Sequence, residues 1–200
     1  MCIRDRYRSG KGRCGEESTF AVTAYRCVGI AARQVYTPRW AHCDDNHAWV
    51  EVFVDGEWHF LGACEPEEVL DTGWFSGPAN RAILIHTRNF SDYVKESNEE
   101  YLGKEGALYY FNHTDFYGRT KLVKILVKDE NGKPAAGAHI AVEILNMAEF
   151  FPAAVMIADA DGEVRMTLGL GDIRVRAFDG IRRAEAMMRI EAVSYTHLRA

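Results

Sequence analysis

The feature of this sequence that most limits its fold is a β-hairpin pattern centred on Asp55-Gly56. This pair separates residues 47–54 and 57–61, two runs rich in β-branched and aromatic side chains. An Asp-Gly pair between such runs is typical of a two-residue hairpin turn, because both residues tolerate positive φ angles. Along the first run, alternation puts aliphatic side chains on one face and a mixed set beginning with His47 on the other. The sequence therefore predicts an antiparallel sheet with an aliphatic face suited to a core.

The chain beyond residue 119 has a different pattern, in which short β-rich runs alternate with turn sequences. The turns include residues 129–138 (DENGKPAAGA) and 159–164 (DADGEV). Turns at such regular spacing predict an all-β sandwich. The two turn sequences also resemble those of carboxypeptidase-regulatory-like or immunoglobulin-like β-sandwich modules. Because modules of this kind are usually spacers or binding platforms, the resemblance implies a fold rather than an activity.

A cysteine lies where a helix is expected to begin, in the sequence Gly12 to Phe20. Glu16 and Glu17 suit the first helical turn, and apolar residues continue the helical pattern. A thiol in that position faces free backbone N–H groups and the positive end of the helix dipole, which favour the nucleophilic thiolate. Cys14 is thus a candidate nucleophile, and the alternative for a lone cysteine is an ordinary small residue at a helix start.

A cysteine nucleophile needs a base within about 3–4 Å and a third group that orients the base. His47 is the best candidate base, because it begins a strand whose same-face neighbours are polar or aromatic. The alternative is a histidine at the rim of the sheet without a chemical role. Trp40, in the loop before it, is a candidate to flank the substrate cleft.

The two motifs together resemble the transglutaminase-like superfamily of cysteine enzymes. They are Gly-x-Cys-Gly-Glu at residues 12–16 and Asn-His-Ala-Trp-Val-Glu-Val at residues 46–52, and the resemblance extends over residues 10–87. It implies a papain-like α+β core, in which a helix that starts at the cysteine packs against an antiparallel sheet. It also implies that Cys14 is the nucleophile, that His47 is the general base and that Trp49 has a structural or pocket-wall role. Members attack amide carbonyls through a thioester, as proteases, peptide N-glycanases and crosslinking transglutaminases.

The third catalytic group is where this sequence departs from the family pattern. Relatives usually have an aspartate at the position that matches Gly62. Glu65 is the nearest downstream carboxylate and our first candidate, but strict alternation points it to the other face. It could orient the histidine only beyond a bulge or a strand end. Asp44 and Asp45 are rival candidates, and the backbone N–H of Cys14 is the expected oxyanion donor.

Two alternatives to catalysis stay open. A two-residue turn would place Cys64 opposite His47, so these residues could form a metal site with Cys14 and Cys43. No Cys-x-x-Cys or His-x-x-x-His spacing supports that site. The other alternative is a catalytically degenerate module that binds peptide or glycan, and Gly62 motivates it. The catalytic interpretation itself requires no cofactor and no metal.

Composition and charge limit the expected partners. The net charge of −5 gives no basic surface for nucleic acid, and no apolar run is long enough to span a membrane. We expect a peptide or protein substrate, with a glycan or cell-surface polymer as a further partner. Water is the expected acyl acceptor, since no calcium-binding loop suggests a regulated crosslinking enzyme. We expect an extracytoplasmic location, in the periplasm, at the cell surface or secreted.

The domain prediction has five segments. Residues 1–6 and 193–200 look like translated sequencing-adapter sequence and are set aside from the fold. Residues 7–88 are the predicted transglutaminase-like domain, which we expect to be truncated at its N-terminus. Residues 89–118 are the predicted connecting segment, because they are polar and lack a clear pattern. Residues 119–192 are the predicted β-sandwich.

Overall fold

The structure, a computed structural model, describes residues 3–63, 65–90 and 99–192. Cys64, residues 1–2, residues 193–200 and part of the predicted connecting segment therefore lie outside the described residues. The first part of the described chain contains these elements: α1 (Ile3–Ser9), α2 (Cys14–Cys27), β1 (Ala32–Thr37), β2 (His47–Val54), β3 (Glu57–Leu61), α3 (Ser76–Ala79), β4 (His86–Phe90), β5 (Glu100–Glu105), β6 (Leu108–Asn112) and α4 (Thr114–Tyr117). The second part contains β7 (Thr120–Leu126), β8 (His139–Asn146), β9 (Glu149–Ile157), β10 (Glu163–Gly169), β11 (Gly171–Phe178) and β12 (Arg183–Ile190).

The predicted hairpin is formed with the expected register. Strands β2 and β3 pair antiparallel from Val54↔Glu57 to Val50↔Leu61, which leaves Asp55-Gly56 as a two-residue turn. Both turn residues have positive φ, at 53° and 89°. The hairpin forms one edge of a six-stranded antiparallel sheet with the order β3-β2-β1-β4-β6-β5 within the described residues.

Helix α2 covers the aliphatic face of this sheet. Val22 of the helix packs against Val50 and Val52 of β2, and all three are buried. The alternation of the hairpin sequence predicted this face, since burying such side chains provides the main driving force for packing a helix on a sheet. The helix ends at Cys27, and Gly29 after it has a φ of +85°. A helix that begins at Cys14 therefore packs on an antiparallel sheet.

The opposite face of the sheet carries an aromatic core. Trp49, Phe60 and Phe75 are buried there with Val35 and Ile85. Phe75 comes from the irregular segment between β3 and β4, which folds over this face. The mixed face is thus also largely excluded from water, which the alternating pattern of β2 alone does not require.

Part of the predicted connecting segment belongs to the sheet. Strands β5 and β6 pair with each other, and β6 pairs with β4. Strand β5 forms the outer edge of the sheet. An edge strand has one side open to water, so its polar sequence does not reveal a strand by alternation. Helix α1 likewise begins inside residues 1–6, which the sequence analysis set aside.

The chain after residue 119 forms two packed sheets, as the turn pattern predicted. One sheet pairs β10 with β7, and the other has the order β12-β11-β8-β9 among the described strands. Their shared apolar core includes Ile140, Met166 and Ile173, together with Ile83 and Leu84 from the first part of the chain.

The two parts of the chain are in close contact. The Gly169 N–H donates to the Ile83 carbonyl at 2.8 Å. A Cβ atom at Gly169 would overlap the Ala82 carbonyl oxygen, so this close approach requires a glycine. The sandwich therefore packs directly on the first part of the chain. No helix in the described part of the chain is long and apolar enough to cross a membrane.

Candidate functional site

The first turn of α2 is fixed by hydrogen bonds that its own sequence supplies. Arg13 precedes the helix in an extended conformation, and its N–H donates to Glu16 Oε2 at 3.0 Å. The Ser18 hydroxyl donates to the Cys14 carbonyl at 2.6 Å. The capping contact and the hydroxyl contact together hold Cys14 as the first helical residue, where the initial backbone N–H groups have no partner within the helix.

Strand β1 attaches this turn to the sheet. The Gln34 side-chain amide donates to the Gly15 carbonyl at 2.9 Å and to Ser18 Oγ at 2.7 Å. Cys14 is a free thiol, partly exposed, in an open cavity of about 420 Å³ that Tyr36 and Asn46 also line. The thiol is thus held on a rigid element beside open space.

His47, the candidate base, begins β2 and lies among aromatic rings. Its ring centroid is 4.7 Å from that of Trp74, 5.0 Å from Phe75, 5.7 Å from Trp49 and 6.4 Å from Trp40. Burial lowers the pKa of His47, and the negative charges of nearby carboxylates offset this only in part. The imidazole is therefore neutral near pH 7, which is the form that a general base requires.

Cys14 and His47 lie near the same end of the sheet, and no hydrogen bond joins them among the described contacts. Asn46, the residue before His47, lines the cavity of Cys14. Arg13, the residue before Cys14, forms an exposed ion pair with Asp45 at 3.5 Å. Within the described residues, His47 Nε2 is buried and has no hydrogen-bond partner. Catalytic hydrogen bonds often form only in the substrate complex, so this arrangement fits an unliganded site.

Glu65 lies close to His47 at the start of β2 and to the first turn of α2. Strand β3 ends at Leu61, so Glu65 is beyond the strand and free of its alternation. Its Oε1 accepts a hydrogen bond from Trp74 Nε1 at 2.7 Å. Burial lowers the pKa of His47, and the negative charge of Glu65 acts in the opposite direction. Burial raises the pKa of Glu17 in the first turn of α2, and the charge of Glu65 raises it further. No hydrogen bond joins Glu65 to His47 among the described contacts.

Gly62 leaves no room for the aspartate that the family pattern would place there. A Cβ atom at Gly62 would lie 2.7 Å from the Glu65 carbonyl oxygen. The backbone of Glu65 therefore occupies the space into which a side chain at Gly62 would extend.

The two predicted pocket tryptophans are both buried. Trp40 is 3 % exposed and Trp49 is 0 % exposed, and their rings pack around His47. Trp74, by contrast, is 55 % exposed. It contacts both His47 and Glu65 and is the tryptophan beside the site that solvent reaches.

The sequence analysis missed a buried polar network on the same strand. Glu51 is fully buried, and its carboxylate accepts from Arg33 Nε at 2.6 Å and from the Tyr117 hydroxyl at 2.5 Å. His113 Nε2 lies 3.3 Å from it. Burial alone would raise the pKa of Glu51, but His113 and Arg33 hold it below its ordinary value. The sequence signal that was available is a pair of opposite charges in two neighbouring β-rich runs, Arg33 and Glu51, which the structure shows to be cross-strand partners.

This network reaches the tryptophan beside His47. The Trp49 indole N–H donates to the Tyr117 hydroxyl at 2.8 Å. Burial and the charge of Glu51 raise the pKa of Tyr117 well above its usual range, so the hydroxyl stays protonated and can donate. The network therefore fixes one of the rings that contact the candidate base.

The structure describes three of the four residues of the alternative metal site, Cys14, Cys43 and His47. Within residues 3–63, 65–90 and 99–192, no cluster of three or more His, Cys, Asp or Glu side chains could hold a metal ion. Cys43 is an exposed free thiol, and Cys64 lies outside the described residues.

Comparison with protein families gives a match to part of the chain. Residues 3–63 match the family model described as transglutaminase-like superfamily. This superfamily generally carries cysteine-based catalysis. The matched range contains Cys14, His47 and Trp49 and ends before Glu65. No curated protein matches the chain.

Proposed function

We propose that this chain carries a transglutaminase-like thiol enzyme domain with a papain-like core, which acts on peptide or amide bonds. The observation that carries the proposal is the free, partly exposed thiol of Cys14. It is fixed at the start of α2, beside an open cavity and within the matched residues.

In the proposed reaction, His47 removes the thiol proton and the sulfur of Cys14 attacks the carbonyl carbon of the substrate. The oxyanion accepts a hydrogen bond from the backbone N–H of Cys14, which the helix start leaves available. His47 then returns its proton to the leaving amine, and the C–N bond breaks to leave a thioester. Water attacks the thioester in the second half, which releases the acid and the thiol.

Glu65 is the proposed orienting carboxylate for His47. Trp74 holds this carboxylate by a hydrogen bond and also packs against the His47 ring. Such an indirect arrangement predicts a slower enzyme than a directly hydrogen-bonded triad. Trp40 and Trp49 are proposed as pocket walls that position the ring. The proposed setting is extracytoplasmic, with a carboxypeptidase-regulatory-like sandwich beside the enzyme domain.

Competitive alkylation with iodoacetamide tests the assignment of the nucleophile. Cys27 and Cys43 are exposed, whereas Cys14 is only partly exposed, so accessibility alone would favour the other two thiols. We expect Cys14 to react fastest near neutral pH, and His47→Gln to remove this advantage. Equal rates for the three thiols would contradict the proposal. Hydrolysis of a peptide library by the full chain should also disappear in Cys14→Ala, with Cys43→Ala as the matched control.

A non-catalytic module that binds peptide or glycan is the second candidate. Among the described residues Nε2 of His47 has no hydrogen-bond partner, and the Glu65 backbone fills the space where the side chain of an aspartate at position 62 would lie. Both observations favour this candidate, because the usual third group is not beside the histidine. This candidate predicts ligand binding that Cys14→Ala leaves unchanged, together with slow alkylation of Cys14. The alkylation rates therefore separate the two candidates.

A further inference from the structure

A second cavity lies next to the Cys14 cavity, between the first part of the chain and the sandwich. It has a volume of about 480 Å³, and its lining includes His86, Arg88, Arg39 and Lys104. The two cavities share Tyr36 and Arg88 as lining residues. A substrate bound at Cys14 could therefore extend past Tyr36 into this second space.

The sheet register explains why these residues adjoin the nucleophile. Gln34, which anchors the first turn of α2, pairs with Arg88, and Tyr36 pairs with His86. Residues two apart on a strand point to the same face, so all four side chains share the face that carries the start of α2. The register thus extends the Cys14 site along β1 and β4.

Two polar atoms in this cavity lack partners. His86 is 5 % exposed, and its Nδ1 has no hydrogen-bond partner among the described residues. The same holds for Arg88 Nε, while the guanidinium stacks over the Tyr36 ring at 3.9 Å. Arg88 Nε is a donor, and His86 Nδ1 is a donor in the tautomer that carries the ring proton there. Buried donors without partners are rare in folded proteins, and a ligand that accepts hydrogen bonds would satisfy both.

The charge of the cavity indicates the sign of that ligand. Arg39, Arg88 and Lys104 line it with one carboxylate, Glu105, whose Oε2 accepts a hydrogen bond from Tyr110. No ion pair involves the three cations among the described residues. Burial, with the adjacent charge of Arg88, lowers the pKa of His86 to about 3, against a smaller effect of the Thr87 backbone. The histidine is therefore neutral and adds no charge.

The sandwich supplies the other wall. Residues 151–155 of β9 line the cavity, and the Arg39 guanidinium stacks over the Phe151 ring at 3.7 Å. Strand β9 is an edge strand, and Pro152 within it cannot donate a backbone hydrogen bond. An edge that is blocked in this way favours side-chain contacts with a ligand over strand pairing.

We propose that this cavity is a subsite for a carboxylate of the peptide substrate, which Arg88 binds through its guanidinium and His86 contacts through Nδ1. The proposal rests on the proposed function for the nature of the ligand, because Cys14 would act on the same peptide. Guanidinium groups bind carboxylates with strong, charge-assisted hydrogen bonds, and two such bonds fix orientation as well as affinity. The sandwich then contributes to substrate selection rather than acting as a spacer.

Three tripeptides test the subsite by calorimetric titration of the full chain carrying Cys14→Ala, which prevents turnover. The first is acetyl-Ala-Gln-Ala-amide, which is neutral. The second, acetyl-Ala-Glu-Ala-amide, carries a side-chain carboxylate, and the third, acetyl-Ala-Gln-Ala, carries a C-terminal carboxylate. We expect at least one carboxylate peptide to bind roughly 10-fold tighter or more than the neutral peptide, as a charged hydrogen bond predicts. The peptide that gains affinity identifies the source of the carboxylate.

Arg88→Gln should abolish this preference, and Arg88→Lys, which keeps the charge, should retain part of it. Arg183→Gln is the matched control, because Arg183 also stacks on an aromatic ring, Phe178, but lies outside the cavity lining. Equal affinity for all three peptides, a preference that survives Arg88→Gln, or no binding of either carboxylate peptide would overturn the subsite. Carboxylate binding together with slow alkylation of Cys14 would instead overturn the proposed function and leave the subsite standing.

Discussion

His47 and Glu51 are two buried polar residues on the same face of β2, and their surroundings differ completely. Glu51 is held by Arg33, Tyr117 and His113. His47 Nε2 has no partner among the described residues. A carboxylate that is paired on every side stabilises one structure, whereas an imidazole packed only by rings can accept a new partner. Glu51 therefore has a structural role, whereas His47, four residues away, is the candidate general base.

The largest expected effect is on stability, from removing the carboxylate of Glu51. Glu51→Ala removes one of the two carboxylates that, among the described residues, pair with the buried guanidinium of Arg33, the other being Glu99, and it leaves the Tyr117 hydroxyl without its acceptor. We expect a loss of about 3–5 kcal/mol in the free energy of unfolding. Urea unfolding followed by circular dichroism measures it. Glu57→Ala, an exposed carboxylate on the neighbouring strand, is the control. If His47→Gln destabilised the protein as much as Glu51→Ala, the proposed contrast would be wrong.

A smaller loss is expected when one member of the Glu51 network is truncated. Tyr117→Phe removes a hydrogen bond to the charged Glu51 and leaves the Trp49 N–H unpaired, at a cost of about 2–3 kcal/mol. The same unfolding measurement applies. Tyr25→Phe is the matched control, because no hydrogen bond of the Tyr25 hydroxyl is present among the described contacts. If Tyr117→Phe lowered the free energy of unfolding no more than Tyr25→Phe does, the two hydrogen bonds of the Tyr117 hydroxyl would not contribute to stability.

Restoring the aspartate of the family pattern tests the His47 side of the comparison. Gly62→Asp places a Cβ atom against the Glu65 carbonyl oxygen, so we expect a loss of about 1–3 kcal/mol from the forced backbone shift. Gly77→Asp is the control, since a Cβ there would meet nothing within 4 Å. We expect no faster alkylation of Cys14 in Gly62→Asp. An unchanged stability with faster alkylation would show that the Glu65 backbone can move aside to admit the carboxylate.

The smallest expected effect is a difference in pH dependence. Both residues have a pKa lowered in the folded protein, so each stabilises it above the ordinary pKa and loses this contribution as pH falls. The loss begins below about 6.5 for His47 and below about 4.5 for Glu51. The stability difference between wild type and His47→Gln should therefore shrink between pH 7 and pH 5, approximately, while that of Glu51→Gln stays constant. Unfolding curves at the two pH values decide this.

Local sequence predicted the elements that carry the candidate site, and packing decided the rest. The Asp55-Gly56 turn, the register of its strands and the helix beginning at Cys14 follow from neighbouring residues alone. The run Ala82 to Ile85 shows the limit of such reasoning. Its apolar pattern predicts a strand, yet β4 begins only at His86. The backbone of this run bonds instead to Thr37, Thr114 and Gly169, so it fills the core without joining a ladder.

The sequence by itself determined the hairpin, the helix start with its cysteine, and the β-sandwich pattern, because turn chemistry and alternation act over a few residues. Only the tertiary structure decided which groups surround His47 and Glu51, and that Arg88, His86 and strand β9 share one cavity. Those groupings join residues up to about half the chain apart, and no local preference encodes them. They follow from how the sheet, its covering segments and the sandwich bury their apolar faces together.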